Sequence, residues 1–268
     1  MSISLTAQMT TNLLSLQSTS KLLGMTQERL ATGKKVNSAL DDPVAFFDAS
    51  AHYQIANDYA ALKNGMSEGI QTIKAATDTI ESIKSVLQQM KSLATSVASA
   101  TTDGEVDSLT AQYNELAKQI TSLAGDAMYK GINLLDGDGS LTIVFNTKGD
   151  SLTVAGAASD AEGLLIDDAA WAAVGDSAAD NIAAIDAAIS TLRSTAKTFA
   201  SNLSLVTTRQ DFTDKMIATL KIGGDNLTLA DMNEEGANML MLQTRQALGI
   251  QSLSIASQSA QQVLQLFR

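Results

Sequence analysis

The sequence predicts a mainly α fold of long, coiled-coil-like helices, with the N- and C-terminal helices paired and one small β-hairpin element. Three observations carry this reading. Only one Pro occurs in 268 residues, against an average usage of about 5%. Apolar residues recur with helix period in five separate stretches, far more than chance gives. From Lys130 to about Gly175 that period disappears and two short β-rich runs replace it.

The first stretch places Met9, Leu16, Leu23 and Leu30 seven residues apart, with Leu5 and Leu13 beside them. Gly33 follows Thr32 where a C′ glycine would stop this helix. Asp42-Pro43 reads as an N-cap and an N1 proline opening the second. There Met66, Ile73, Ile80, Leu87 and Ala94 form one heptad series, and Ala76, Ile83, Met90 and Val97 the interleaved one. That is an a/d seam roughly 48 Å long at ~1.5 Å per residue. Asp103-Gly104 reads as a turn. Val106, Leu109, Tyr113, Leu116, Ile120, Leu123 and Ala127 then mark a third helix.

Leu141-Thr-Ile-Val-Phe145 and Ser151-Leu-Thr-Val154 read as a hairpin, and the Ala/Gly/Asp-rich piece with Trp171 as a surface loop or short helix. A fourth seam runs from Ile182 through Ile185, Ile189, Leu192, Ala196, Phe199, Leu203 and Val206, crosses Gln210 and Thr213, and reaches Ile217 and Leu220. Gly223-Gly224-Asp225-Asn226 reads as a loop, and Thr228-x-x-Asp231 as a capping box for the last helix. That helix shows Met239, Leu242, Leu253, Ala256, Ala260, Val263 and Phe267, broken at Gln246 and Gly249. The halves are near mirror images around the β insert.

Composition narrows the function. Zero Cys excludes disulfides, thiolate metal sites and cysteine nucleophiles, and one His excludes two-His metal motifs. A net charge of −11 argues against a nucleic-acid partner. Residues 1–20 carry no charge and have no basic region before an apolar core, so no secretory signal peptide is expected. Gln246 to Phe267 is also charge-free, but ten of its 22 positions are Gln or Ser. That is too polar for hydrocarbon, and no membrane span is expected. Uncharged amide and hydroxyl faces suit helices packed among helices, where a charge would be costly to desolvate. Leu240, Ile250 and Leu264 lie off the terminal seam and need other partners, which favours self-association.

The remaining polar features read as structure. Asp136-Gly-Asp-Gly-Ser140 lacks the third acidic ligand and the distal Glu of a calcium-binding EF-hand loop and reads as a turn. Asp167-Asp168 is a solvated loop pair. His52, beside Tyr53 on the second helix, has a packing or surface role. Asn202-Leu-Ser and Asn226-Leu-Thr match a glycosylation sequon incidentally; exposed Ser and Thr near the insert are better candidates for O-linked sugars. No cofactor, metal site or catalytic group is expected, and the chain is not read as an enzyme.

Three collinear motifs carry a family resemblance. Arg29-Leu-Ala-Thr-Gly33-Lys-Lys-Val-Asn37-Ser-Ala-Leu-Asp41-Asp42 is similar to R-L-S-S-G-x-x-I-N-S-A-x-D-D. Tyr129-Lys-Gly-Ile-Asn-Leu-Leu-Asp-Gly137 is similar to F-x-G-x-x-L-L-x-G. Leu242-Gln243-Thr-Arg245 through Phe267 is similar to a C-terminal signature. All three resemble bacterial flagellin, the filament subunit, in a minimal form without outer variable domains.

The resemblance implies paired terminal helices in an inner filament domain, residues 1–42 (with a spoke) and 223–268. It implies a helical middle domain, 43–128 and 178–222, with a small hairpin and loop, 129–177, in place of the variable domain. Assembly is expected to use Leu5, Met9, Leu13, Leu16, Leu23, Leu30, Leu242, Leu253, Ala256, Val263, Leu264 and Phe267. It also implies many copies in a helical filament, a flagellar export apparatus, a cytoplasmic export chaperone, hook-associated and cap proteins as partners, and an extracellular location.

Two departures stand out. Pro43-Val-Ala-Phe-Phe replaces the family's A-A-G-x-A, and the ring bulk is expected to alter the start of the second helix. Leu87-Gln-Gln-Met-Lys-Ser-Leu93 replaces L-Q-R-x-R-E-L, the stretch an innate immune receptor reads in many members. Gln89, Lys91 and Ser92 mark this diverged site, and weak receptor activation is expected. The alternatives are the hook–filament junction protein, which shares these termini, and a secreted helical adhesin or effector.

Overall fold

The computed structural model describes residues 7–266, and the side chains of residues 9–262. Its elements run α1 (Ala7–Thr32), α2 (Pro43–Val97), α3 (Asp103–Asp126), β1 (Met128–Tyr129), β2 (Ile132–Asn133), β3 (Ser140–Val144), β4 (Ser151–Ala155), α4 (Ala179–Thr228) and α5 (Met232–Leu266). The chain forms two compact units. One takes the described residues up to Ile55 and from Thr219 on; the other is Ala56–Ala218.

The larger unit is built on the α2 seam. Its nine heptad residues, Met66 to Val97, are all at most 1% exposed, so the whole stripe is inward. Val106, Tyr113 and Ile120 of α3, and Ile185, Leu192, Phe199 and Val206 of α4, join the same buried cluster. Where the α4 stripe turns polar, hydrogen bonds continue it. Gln210 Nε2 donates to Ser67 Oγ at 2.6 Å, and buried Thr213 donates to Arg209 O.

The β region holds two small sheets, one more than expected. β1 and β2 pair around Lys130 (φ 49) and Gly131 (φ 83), two successive left-handed residues as a type I′ hairpin requires. β3 and β4 form the expected hairpin, with Leu141 opposite Val154 and Ile143 opposite Leu152. Leu141, Ile143 and Val154 turn into the core. Arg209 lies 5.4 Å above the Phe145 ring, a cation–π contact.

Three local expectations are corrected and a fourth is sharpened. The Gly223–Asn226 segment is not a loop, because α4 runs through it to Thr228. The Tyr53 ring occupies the space beside Gly224 where a Cβ would sit, and the His52 ring lies against Gly223. Tyr53 Oη also donates to Asp225 Oδ1 at 2.6 Å, and this contact raises the tyrosine pKa. Packing here outweighs the helix penalty of about 1 kcal/mol per glycine.

Thr228 does not cap α5. Its hydroxyl donates back to Gly224 O, and the cap is Asp231, whose Oδ1 accepts from Asn233 N and Glu234 N. Asp103-Gly104 is the first turn of α3 and not an interhelical turn. Thr102 is the N-cap; its Oγ1 accepts from Glu105 N, while Glu105 Oε2 accepts from Thr101 N and Oγ1.

The piece around Trp171 is a loop and not a short helix, and it is anchored on the core. Trp171 is buried, edge-on to Tyr113 at 5.0 Å, and its Nε1 donates to Asn181. Asn114 holds the backbone beside it through both its amide nitrogen and oxygen to Ala169. The run is Ala-rich, so nothing in its pattern marks it as core, yet it covers the end of the α3 seam.

Two glycines test the packing. At Gly69 the Ile143 side chain fills the place of a Cβ, whereas Gly65 on the same helix faces open space. Gly69→Ala is expected to destabilise the chain by about 1–3 kcal/mol through overpacking. Gly65→Ala is expected to stabilise it by roughly 0.5–1 kcal/mol through helix propensity. Thermal denaturation of both variants checks the pair, and equal effects would contradict the hairpin placement.

Candidate assembly surface

In the smaller unit α1 packs along α5. The inward line on α1 is Met9, Asn12, Leu16, Thr19, Leu23, Thr26 and Leu30; all are buried or half-buried, in steps of three and four. The facing line on α5 is Glu235, Met239, Leu242, Gln246, Gly249, Leu253, Ala256 and Ala260, in the same rhythm. Both are heptad seams.

Seven proposed assembly residues fall in these lines: Met9, Leu16, Leu23, Leu30, Leu242, Leu253 and Ala256. Leu13 does not; it is exposed. Leu5 and Phe267 lie outside the described residues, as do the side chains of Val263 and Leu264.

Sequence reading missed the polar and small members. Gln246 and Gly249 look like breaks in an apolar pattern, but both sit in the seam. Leu16 packs where a Gly249 Cβ would stand, so the glycine sets how closely the helices approach. Thr19 is buried with its hydroxyl donating to Ser15 O, the usual way a threonine satisfies itself inside a helix. The signal that would have found these residues is the strict heptad step itself, read regardless of polarity.

The N-terminal motif explains itself locally. Arg29 Nη1 pairs with the nearly buried Glu235 Oε1 at 3.0 Å, tying α1 to α5. Gly33 is left-handed (φ 71) and its N–H returns to Arg29 O, closing α1. Lys35 N donates to Thr228 O, and Ala230 N to Gly33 O, stitching this turn to the α4–α5 link.

Asp41 Oδ2 accepts from Asn37 N, Ser38 N and Ser38 Oγ, which holds its carboxyl below the usual range, with the Ser38 N–H the largest cause. This turn is therefore stabilised above the ordinary carboxylate pKa, and the contribution fades as pH falls through the lowered one. Asp42 Oδ1 accepts from Ala45 N, so α2 starts on an ordinary cap. The ring bulk does not alter that start; Val44 and Phe47 are exposed.

Gln243 and Arg245 are exposed on α5. In the larger unit Gln89 and Ser92 are exposed, while Lys91 Nζ pairs with Asp186 at 2.5 Å.

Large apolar side chains remain outside the α1–α5 seam. Leu14 and Leu22 are exposed on α1, and Leu240, Met241, Leu248, Ile250 and Ile255 on α5. Met241, Leu248 and Ile255 are seven apart, forming a second stripe set one residue, roughly 100°, from the seam. Leu240 and Ile250 lie on other sides. A helix apolar on most of its circumference is one destined for burial on most of it. Among the described residues no helix is long and apolar enough to cross a membrane.

The seam geometry makes Gly249→Leu a sharp probe. It is expected to force α1 and α5 apart and expose both to limited proteolysis. Gly236→Ala, where space is open, is expected to leave the digestion pattern unchanged.

Comparison with known proteins supplies the family. A family profile described as the bacterial flagellin N-terminal helical region matches residues 3–140. Flagellin FljO of Caulobacter vibrioides is 32% identical over 256 residues, covering 94% of this chain and 93% of the relative. Flagellin FljM of the same organism gives the same identity and coverage. A flagellin of Brucella melitensis is 28% identical over 279 residues, covering 96% of each. These alignments run across nearly all of each relative, so none of the three carries a large middle domain lacking here. The chain belongs to the bacterial flagellin family.

Proposed function

We propose that this chain is the structural subunit of the bacterial flagellar filament, a helical polymer of many copies that serves as the propeller for swimming. The observation that carries this reading is the α5 surface. Met241, Leu248 and Ile255 stand 55–66% exposed in one stripe, beside a seam already closed by α1. A single copy leaves this surface in water; a bundle of terminal helices from several copies buries it. At about 1.5–3 kcal/mol per fully buried side chain, each stripe would contribute several kcal/mol to assembly.

The uncharged ends support the same role. No charged side chain has to be desolvated when residues 1–20 and 246–267 pack among their copies. The terminal residues proposed for assembly act there. Export through the flagellar apparatus, guarding by a cytoplasmic chaperone, and meeting hook-associated and cap proteins outside the cell follow from that role as further proposals. Near-full-length similarity to filament flagellins favours the filament over the hook–filament junction.

Two tests follow. Removing residues 1–20 or 246–268 is expected to abolish elongation from filament seeds while thermal unfolding of Ala56–Ala218 persists; normal filaments from either truncation would overturn the role of the ends. Receptor reporter cells are expected to respond weakly to the chain, because Gln89 and Ser92 stand where an Arg and a Glu do in the recognised stretch. Potency equal to the R-x-R-E type would contradict this.

A further inference from the structure

The smaller unit carries a second pair of unfilled apolar patches, away from the α1–α5 seam. On α2, Ala49 is buried and Tyr53 packs on Gly224 of α4. On the other side of α2 stand Val44 at 71% exposure, Phe47 at 62% and Ile55 at 41%, with Leu40 at 96% just before the helix. Residues 40–55 hold three Asp and no Lys or Arg. Asp41 and Asp42 serve the turn and the α2 cap, so this is an apolar knob with the exposed Asp48 at its edge.

The α4 end carries the counterpart. Gly224 and Thr228 are buried toward α2. Ile222 and Leu229, seven residues apart, are exposed at 59% and 47%. Leu229 N still donates to Asp225 O, so the helical turn continues and the two share a face. Lys221 precedes Ile222, and Lys34 is bridged to Leu229. Asp225 bonds Tyr53 and Asp231 caps α5, so the edge carries both signs, with Lys221 the cation directly beside Ile222. This is an apolar stripe with a cation, Lys221, at its edge.

α2 and α4 pack through the faces between these patches, so the patches point away from each other and cannot meet within one copy. We infer that the Leu40/Val44/Phe47 knob of one copy docks on the Ile222/Leu229 stripe of the next, with Asp48 meeting Lys221. The chemistry is matched in both terms, apolar to apolar and acid to base. Because the two patches differ, the contact is heterologous, and a heterologous contact that does not close repeats into an open helix. The inference rests on the filament reading and deepens it by naming one lateral or axial joint outside the terminal helices.

The absence of cysteine allows a direct test. Filaments grown from the Phe47→Cys/Ile222→Cys double variant are treated with a short bis-maleimide. A ladder of covalent multimers is expected, with most of the monomer consumed. Either single variant is expected to stay monomeric, since a heterologous joint never brings two copies of one patch together. An unlinked double variant in well-formed filaments overturns the inference and leaves the filament reading intact. Dimers from Phe47→Cys alone overturn it too, because they mean a symmetric contact. Failure of the unmodified chain to elongate seeds sinks the filament reading itself.

A second arm covers a double variant that does not grow. Asp48→Lys and Lys221→Glu are each expected to slow elongation roughly two- to fivefold, the size of one exposed ion pair. Combined, they are expected to restore it. No rescue overturns the joint.

Discussion

A helix can hide only the stripe that its neighbour covers. That constraint organises this protein. In the larger unit two helices, a hairpin and a loop surround the α2 seam, and every heptad position finds a partner. In the smaller unit two helices have only each other, and each can cover one stripe. What is left over is apolar, and it lies on α1, α5, the start of α2 and the end of α4. The unit is therefore closed in its seams and open on its outer faces, which is the condition of a part made to be stacked.

The α1–α5 seam shows how the unit is kept from closing too well. Nearly half of its facing positions are threonine, asparagine, glutamine, glycine or alanine. Small residues bring the backbones close, as Gly249 does beneath Leu16. Short polar side chains satisfy themselves along their own helix, as Thr19 does. Such a seam gains less from burial than one of leucines. It suits helices whose larger apolar side chains are kept for contacts with other copies. The Arg29–Glu235 pair then supplies register where apolar contacts are sparse.

Much of the fold was legible in the residue order, and the places where it was not share a cause. The α2 heptads, the β3–β4 hairpin, the Gly33 stop and the Asp42-Pro43 start are local patterns, and each element formed where its pattern lay. Gly223-Gly224 misled because glycine pairs usually break helices, but here the missing Cβ atoms admit His52 and Tyr53 from 170 residues away in sequence, as the 172-residue separation of the Tyr53–Asp225 bond records. Trp171 misled because its neighbours are small, and its burial depends on Tyr113 and Asn114 lying opposite. The Thr102–Glu105 capping box was visible in the sequence but lay behind the stronger turn signal of Asp-Gly.

By itself the sequence determined the placement of most helices, the neutrality of the ends, the absence of cysteine, and the family motifs. These are properties of local spacing and composition, which need no partner to be read. Only the tertiary structure decided which apolar residues are spent inside one copy and which are left for others. Leu13 and Leu16, Leu240 and Leu242, Phe46 and Phe47 are alike in the sequence. They part ways because a neighbouring helix covers one side of each helix and not the other.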